Sequence, residues 1–566
     1  MKKMWMPLMM ALVAVLTSCG SKMGELNAEL FTTTPGVLEA VGGQVPVTIN
    51  GKFPEKYFNK KAQVTVTPVL KWNGGQVVGT SATFRGEKVE SNDQMINYRL
   101  GGNYTMKTTF DYVPEMAKSE LYLQFTAKVG KKEVEIPAVK IADGVIATSE
   151  LVGTTVKSAT AAVAEDAFQR VIKQAKEANI RFLIQQANLR ASELKSQEMT
   201  EFNETMAGIK ADEERKILSN VEVTAYASPD GEYGLNERLA GNRETNAAKY
   251  VEKQLKKEKL EGYVDTKYTA EDWDGFRELV ERSNIQDKEV ILRVLSMYTD
   301  PERREQEIKN ISSVYKTLTD EILPQLRRAR LTLNYELIGR SDDEIMQTYA
   351  ASPRELSVEE LLYAATLVES IADKEAIYRK TAEIYPNDYR ANNNLAELAY
   401  KQGKLETALT YLEKAAAINP AASEVNANMG LIALAKGDKE TAETYFSKAS
   451  GVKTLNESLG NLYIAQGQYD RAVSAFGEAE TNSAALAQIL AKDYNKAKNT
   501  LQAVANPDGY TEYLKAVLGA RTGNTAMVLA GLKKAVEQDP TLAKKALEDL
   551  EFAKYVTNAD FLNALK

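Results

Sequence analysis

The chain's one thiol is Cys19 and it has no histidine, so the nucleophilic and proton-transfer chemistry open to it is narrow. Ser-His and Cys-His activation, histidine metal ligation and an imidazole proton shuttle are all excluded. One cysteine can neither close an intramolecular disulfide nor supply a Cys-rich zinc site. Carboxylate pairs and Ser-Lys arrangements stay open because there are 78 acidic residues, but no pair stands apart from the rest by its spacing. The expectation is a protein that is not an enzyme and holds no cofactor and no metal.

The elements that must carry any remaining site are numerous. With 566 residues and 44% hydrophobic content the chain can build several independent cores. Its formal charge is −7, and −9 without Lys2 and Lys3, which disfavours nucleic acid or another large anionic partner.

Residues 1–19 read MKKMWMPLMMALVAVLTSC, with a basic start, an apolar run from Met4 to Leu16, and the ending Leu16-Thr17-Ser18-Cys19. The apolar run is too short to span a bilayer and fits a cleaved signal peptide. The ending resembles the lipobox of bacterial lipoproteins. That resemblance implies that Cys19 becomes the acylated first residue of the mature chain, anchored durably by several acyl chains. The following Gly-Ser-Lys-Met-Gly-Glu lacks the aspartate expected for inner-membrane retention and the acidic cluster of some surface-exported lipoproteins. The expected location is therefore the outer membrane, facing the periplasm, with surface exposure as the alternative.

Residues 25–150 alternate apolar and polar positions in short runs, as in Val45 to Ile49, Val64 to Val66 and Leu121 to Phe125. Asn73-Gly74-Gly75, Gly101-Gly102-Asn103 and Gly130-Lys131-Lys132 supply turns between them. An antiparallel β-sandwich is expected.

Residues 156–340 mix helical periods with strand candidates at Ile180 to Gln185, Val221 to Ala227, Tyr263 to Tyr268 and Arg330 to Ile338. Phe202, Met206 and Ile209 mark one helix, and Ile308, Ile311, Tyr315, Leu318, Ile322 and Leu326 another. The strand from Val221 ends in Ser228-Pro229-Asp230-Gly231, a turn that opens a helix carrying Asn236, Leu239 and Arg243. This stretch resembles the OmpA-like, peptidoglycan-associated motif GxTDxxGxxxxNxxLSxxRAxxV, whose glycine, asparagine, leucine and arginine fall on Gly231, Asn236, Leu239 and Arg243. The resemblance implies an α+β domain in which an aspartate faces the ammonium of diaminopimelate and the arginine grips its carboxylate. A guanidinium suits that task because it donates two parallel charge-assisted bonds. Ser228 stands at the aspartate position and Ala240 at the serine position, so the ammonium partner has lost its charge; Asp230, two residues on, is the candidate substitute. The plainer alternative is a surface Arg243 paired with Glu237 or Glu244. Residues 271–323 exceed what such a domain needs and read as a helical insertion. Arg327, Arg328 and Arg330 follow a helix end, where cations offset the dipole without any ligand.

After a polar linker over 341–354, residues 355–566 are helical and periodic. Ala399, Gly403, Ala408 and Ala415 recur 34 residues later as Ala433, Gly437, Ala442 and Ala449; a copy with Gly467 and Phe476 follows, then a degenerate one ending in Gly523, Ala535 and Pro540. The pattern resembles tetratricopeptide repeats, which implies a stacked solenoid whose groove binds peptides or partner proteins. Asn393, Asn394 and Asn428 either face that groove or sit on a solvated helix surface. Phe552, Tyr555, Phe561 and Leu562 suggest a capping helix pair.

Two functions follow from the order of modules. In one, an envelope scaffold links outer membrane to peptidoglycan and holds a protein partner in its repeats. In the other, an assembly lipoprotein binds protein only, its OmpA-like pocket disabled by Ser228.

Overall fold

The computed structural model describes residues 23–566, the side chains of Ser312, Ser313 and Val314 excepted; Cys19 lies outside the described residues. The chain divides into two compact units, one ending at Glu165 and resuming at Glu369, the other running from Asp166 to Val368. This differs from the sequence-based division at both ends: residues 156–165 belong with the first unit, and residues 355–368 with the second.

In the first unit, strands with clean alternation such as Gln44–Phe53 turn every second side chain inward. One sheet orders Phe31–Thr34, Gln44–Phe53 and Gly102–Asp111. The other orders Lys132–Asp143, Glu120–Val129, Ala62–Trp72, Ala82–Gly86 and Gln94–Ile96. Val45, Ile49 and Phe110 from the first meet Val64, Val66, Leu121 and Leu123 from the second in a single apolar core. The pairing is not antiparallel throughout, as alternation alone had suggested. Ala82–Gly86 and Gln94–Ile96 run parallel because Arg85 holds the intervening loop, donating to the carbonyls of Val89 and Asp93. Leu38–Glu39 and Val145–Ile146 also pair in parallel, bringing the two ends of this region together.

The unit resumes with the helix Ile371–Ile384 and continues in five helix pairs: Arg390–Lys401 with Leu405–Ile418, Ser423–Ala435 with Lys439–Phe446, Leu455–Ala465 with Tyr469–Phe476, Asn482–Leu490 with Tyr494–Ala503, and Gly509–Arg521 with Thr525–Gln538. Gly403, Gly437, Gly467 and Gly523 end the first helix of four pairs at positive φ, where a side chain is strained. In the fourth pair Lys492 takes that conformation instead. The tail adds Thr541–Glu548 and Ala559–Ala564, with Phe552 and Phe561 fully buried against the last pair while Leu562 stays exposed.

The second unit is α+β, with four strands ordered Val171–Arg181, Arg328–Ile338, Lys216–Tyr226 and Tyr263–Thr269. Only the last two run parallel. The first strand starts at Val171, not Ile180, and was missed because it is an edge strand with only Ala178 and Ile180 buried. Helices Gln197–Ala211 and Tyr233–Glu258 cover one core through Phe202, Met206, Ala247 and Val251. Residues 273–326 form helices around a core of their own, including Phe276, Ile291, Ile308 and Leu326. The expected single helix over Ile308 to Leu326 is broken at Ile311 and again by a π turn, Leu318–Ile322, before Pro324, which has no N–H to donate. The polar stretch expected to be a linker is a helix, Asp342–Ala351, opened by a reciprocal Ser341/Glu344 capping box. Among the described residues no helix is long and apolar enough to cross a membrane.

Candidate functional site

Two constellations deserve the name of site, one in each unit. In the second unit, the turn after Lys216–Tyr226 and the start of Tyr233–Glu258 bring Ser228, Asp230, Gly231, Asn236, Leu239 and Arg243 around one cavity of about 50 Å³. That is room for a small polar head, far below the volume of about 300 Å³ or more that holds a whole small molecule. Asn236 donates to the Gly231 carbonyl at 3.0 Å and so fixes the turn.

Arg243 is not the surface residue of the plainer alternative, nor is it paired with Glu237 or Glu244. It is 1% exposed, and donates to the carbonyls of Gln186 at 3.0 Å, Tyr226 at 2.9 Å and Leu183 at 3.4 Å. Its guanidinium lies over the Phe182 ring. Burial, reinforced by repulsion from Arg327, pushes its pKa down to about 10, so it stays cationic at neutral pH. Arg327, expected only to offset a helix dipole without a ligand, lies in this site. It pairs with Asp230 at 2.9 Å and donates to the Ser228 hydroxyl at 3.1 Å, while Ser228 also donates to Asp230. A residue 97 positions from its partner leaves no local signal. The cavity therefore holds two guanidiniums against one carboxylate, and that carboxylate is already engaged.

The second constellation runs along the first helices of the repeat pairs. Ten consecutive residues, Ala391–Tyr400, are buried, which a two-faced helix covered on one side could not achieve. The cover is the protein's own segment from Thr148 to Glu165. Leu151 and Val152 pack among Ile464, Ala485 and Leu514; Val156, Ala159 and Ala161 pack among Ala396, Tyr400 and Met429. Beyond these the segment is extended, and side-chain amides take over. Asn428 donates to the Ala162 carbonyl at 2.8 Å and accepts from its N–H at 2.7 Å. Asn394 does the same for Ala164 at 3.0 and 2.8 Å. Asn393 donates to the Ala162 carbonyl at 3.0 Å and accepts from Asn428, locking the row. All three are 4% exposed or less, so they are on neither a solvated surface nor a free one. Nearer the middle, burial pushes the Glu457 carboxyl up while hydrogen bonding from Thr160 pulls it down.

Tetratricopeptide repeat families match residues 377–410, 423–453 and 454–482. The C-terminal region is a tetratricopeptide repeat array. No curated protein matches the chain. Among solved structures, a tetratricopeptide repeat protein from Parabacteroides merdae is 16% identical over 40% of this chain and 90% of its own, with a TM-score of 0.28. PilW, a type IV pilus biogenesis factor, is 15% identical over 37% and 98%, at 0.26. YrrB, a tetratricopeptide repeat protein with an unusual peptide-binding site, is 23% identical over 30% and 97%, at 0.22. The array in this chain is longer than the three matched segments: the pair Asn482–Leu490 and Tyr494–Ala503 is a repeat that neither the periodicity nor those matches mark.

Proposed function

We propose that the protein is a non-catalytic scaffold of the bacterial cell envelope, held in the outer membrane by lipid on Cys19 and facing the periplasm, whose tetratricopeptide array engages protein. One observation carries the scaffolding half: buried asparagines on the first helices grip both the N–H and the C=O of an extended peptide segment. The array and the β-rich region, read as a β-sandwich, share one compact unit. The lipobox resemblance supports the anchor. Labelled fatty acid should be incorporated by the wild type and not by Cys19→Ser, with the variant leaving the membrane fraction; an unlabelled wild type refutes the anchor.

The second unit supports the reading in which an OmpA-like module no longer holds peptidoglycan. The motif residues Asn236, Leu239 and Arg243 share one cavity, which favours the OmpA-like relationship. But Ser228 is neutral, and Asp230, the one carboxylate among the described residues lining the cavity, is bound to Arg327 at 2.9 Å, so none of them offers an unengaged carboxylate to an ammonium. The full chain should not co-sediment with purified sacculi, and Ser228→Asp should create binding. Wild-type co-sedimentation would restore the linker reading.

A further inference from the structure

Three amides recognise the segment over the array, and they recognise its main chain. An asparagine offers one acceptor and two donors, the complement of one residue's N–H and C=O. Asn428 and Asn394 each hold both groups of one residue, Ala162 and Ala164, which two residues apart present the same edge of an extended chain. The side chains turned inward are small: Ala159, Ala161, Ala162 and Ala164 are buried, while Thr160, Val163 and Glu165 are exposed. The three amides use no side chain of the segment; its polar side chains add Thr160 on Glu457 and the exposed pair Glu165–Lys453 at 2.7 Å.

We infer that this face of the array is a receptor for an extended small-residue peptide, and that the chain's own Ala159–Glu165 fills it, so a protein partner enters only by displacing that segment. The inference rests on the scaffolding reading of the array and adds its regulation: the resting protein is self-occluded. A tethered segment competes at millimolar effective concentration, so free peptide is held off without any loss of affinity in the groove itself.

The experiment uses the full chain and a fluorescent peptide of residues 157–167, with binding followed by polarisation. Ala162→Pro/Ala164→Pro removes both N–H groups from the resident segment and leaves the asparagines untouched. The double variant should bind the peptide about 100-fold or more tightly than the wild type does. Adding Asn428→Ala should abolish that gain. Equal binding by wild type and double variant overturns the self-occlusion alone; no binding by a double variant with native circular dichroism overturns the receptor as well. Hydrogen exchange on the unmodified protein tests the same point without a variant. The Ala162 and Ala164 amides should exchange faster than those of Ser423–Ala435, through local release. If they exchange only together with that helix, the segment is a permanent part of the core and the inference fails.

Discussion

Replacing Arg521 by methionine should destabilise the first unit in a strongly pH-dependent way. Arg521 reaches Glu39 at 2.6 Å and Glu551 at 2.6 and 2.8 Å, and Thr148 donates to the same Glu551 carboxylate. It thus joins the β-rich region, the covering segment and the end of the array. Its side chain is 11% exposed and that of Glu551 only 4%, whereas Glu39 is 27% exposed and stays partly solvated. Methionine matches the length but leaves the Glu551 charge buried and unpaired, which costs about 3–5 kcal/mol at neutral pH. The sign of the pH effect follows from Glu551. Burial already raises its pKa, with Arg521 and Thr148 opposing; removing Arg521 removes the larger opposition and raises it further. A carboxyl with a raised folded-state pKa binds protons more readily when folded, so its contribution to stability is present at low pH and lost as pH rises through that window. The deficit of Arg521→Met should therefore be largest at alkaline pH and shrink as the pH falls through the raised carboxyl's range. Hydrogen exchange of Gly509–Arg521 reads it directly, which matters because neither described tryptophan, at 72 and 273, lies in the array. A deficit below about 1 kcal/mol, or one that is flat with pH, would refute the assignment of Glu551 as the buried unpaired charge.

Three further substitutions have signs set by local geometry. Arg243→Leu removes the guanidinium from the carbonyls of Gln186 and Tyr226, and leaves Leu183 only the Gln186 N–H at 3.1 Å; it should cost the second unit about 3 kcal/mol or more, seen in its thermal midpoint, and an unchanged midpoint would mean water replaces the guanidinium. Gly460→Ala adds a carbon 2.6 Å from the Phe476 ring, so in place of the usual helical gain of about 1 kcal/mol it should destabilise by about 1–3 kcal/mol, and Phe476→Leu should relieve it. Lys492→Gly relaxes a left-handed residue at φ 66° and should stabilise the array by about 1 kcal/mol in urea denaturation; a loss there would show that the lysine side chain does more than end a helix.

Lys492 also shows why one repeat escaped the sequence. The glycines at 403, 437, 467 and 523 are readable because αL geometry at a helix end all but demands that residue, whereas a lysine that tolerates the same geometry carries no mark. Local rules were legible in the same way elsewhere: alternation gave the strands of the β-rich region, and the Ser-Pro-Asp-Gly turn opened its helix where expected. The edge strand Val171–Arg181 was not, because its face is charged and solvated. Ser341 to Glu344 was read for its polarity and not for the capping box it spells. At the cavity, the residues on one turn and one helix were found together, while Arg327 was invisible because its partner, Asp230, lies in a turn 97 residues away in the sequence.

The asparagines carry the same lesson further. Amides at Asn393, Asn394 and Asn428 could be read as groove or as solvated surface, and sequence cannot choose, since both suit a polar residue on a helix. What decides is the cost of burial: an amide 4% exposed or less must find partners for its donors and acceptor, and here it finds them on a peptide backbone. That backbone belongs to Ala159–Glu165, a run whose alanines have no helical or strand period and which looked like the entry to the next domain. Its small side chains are the reason it lies flat against the helices, and the reason it left no signal. A segment that is recognised only through its main chain is nearly silent in a sequence, and so is the receptor that reads it.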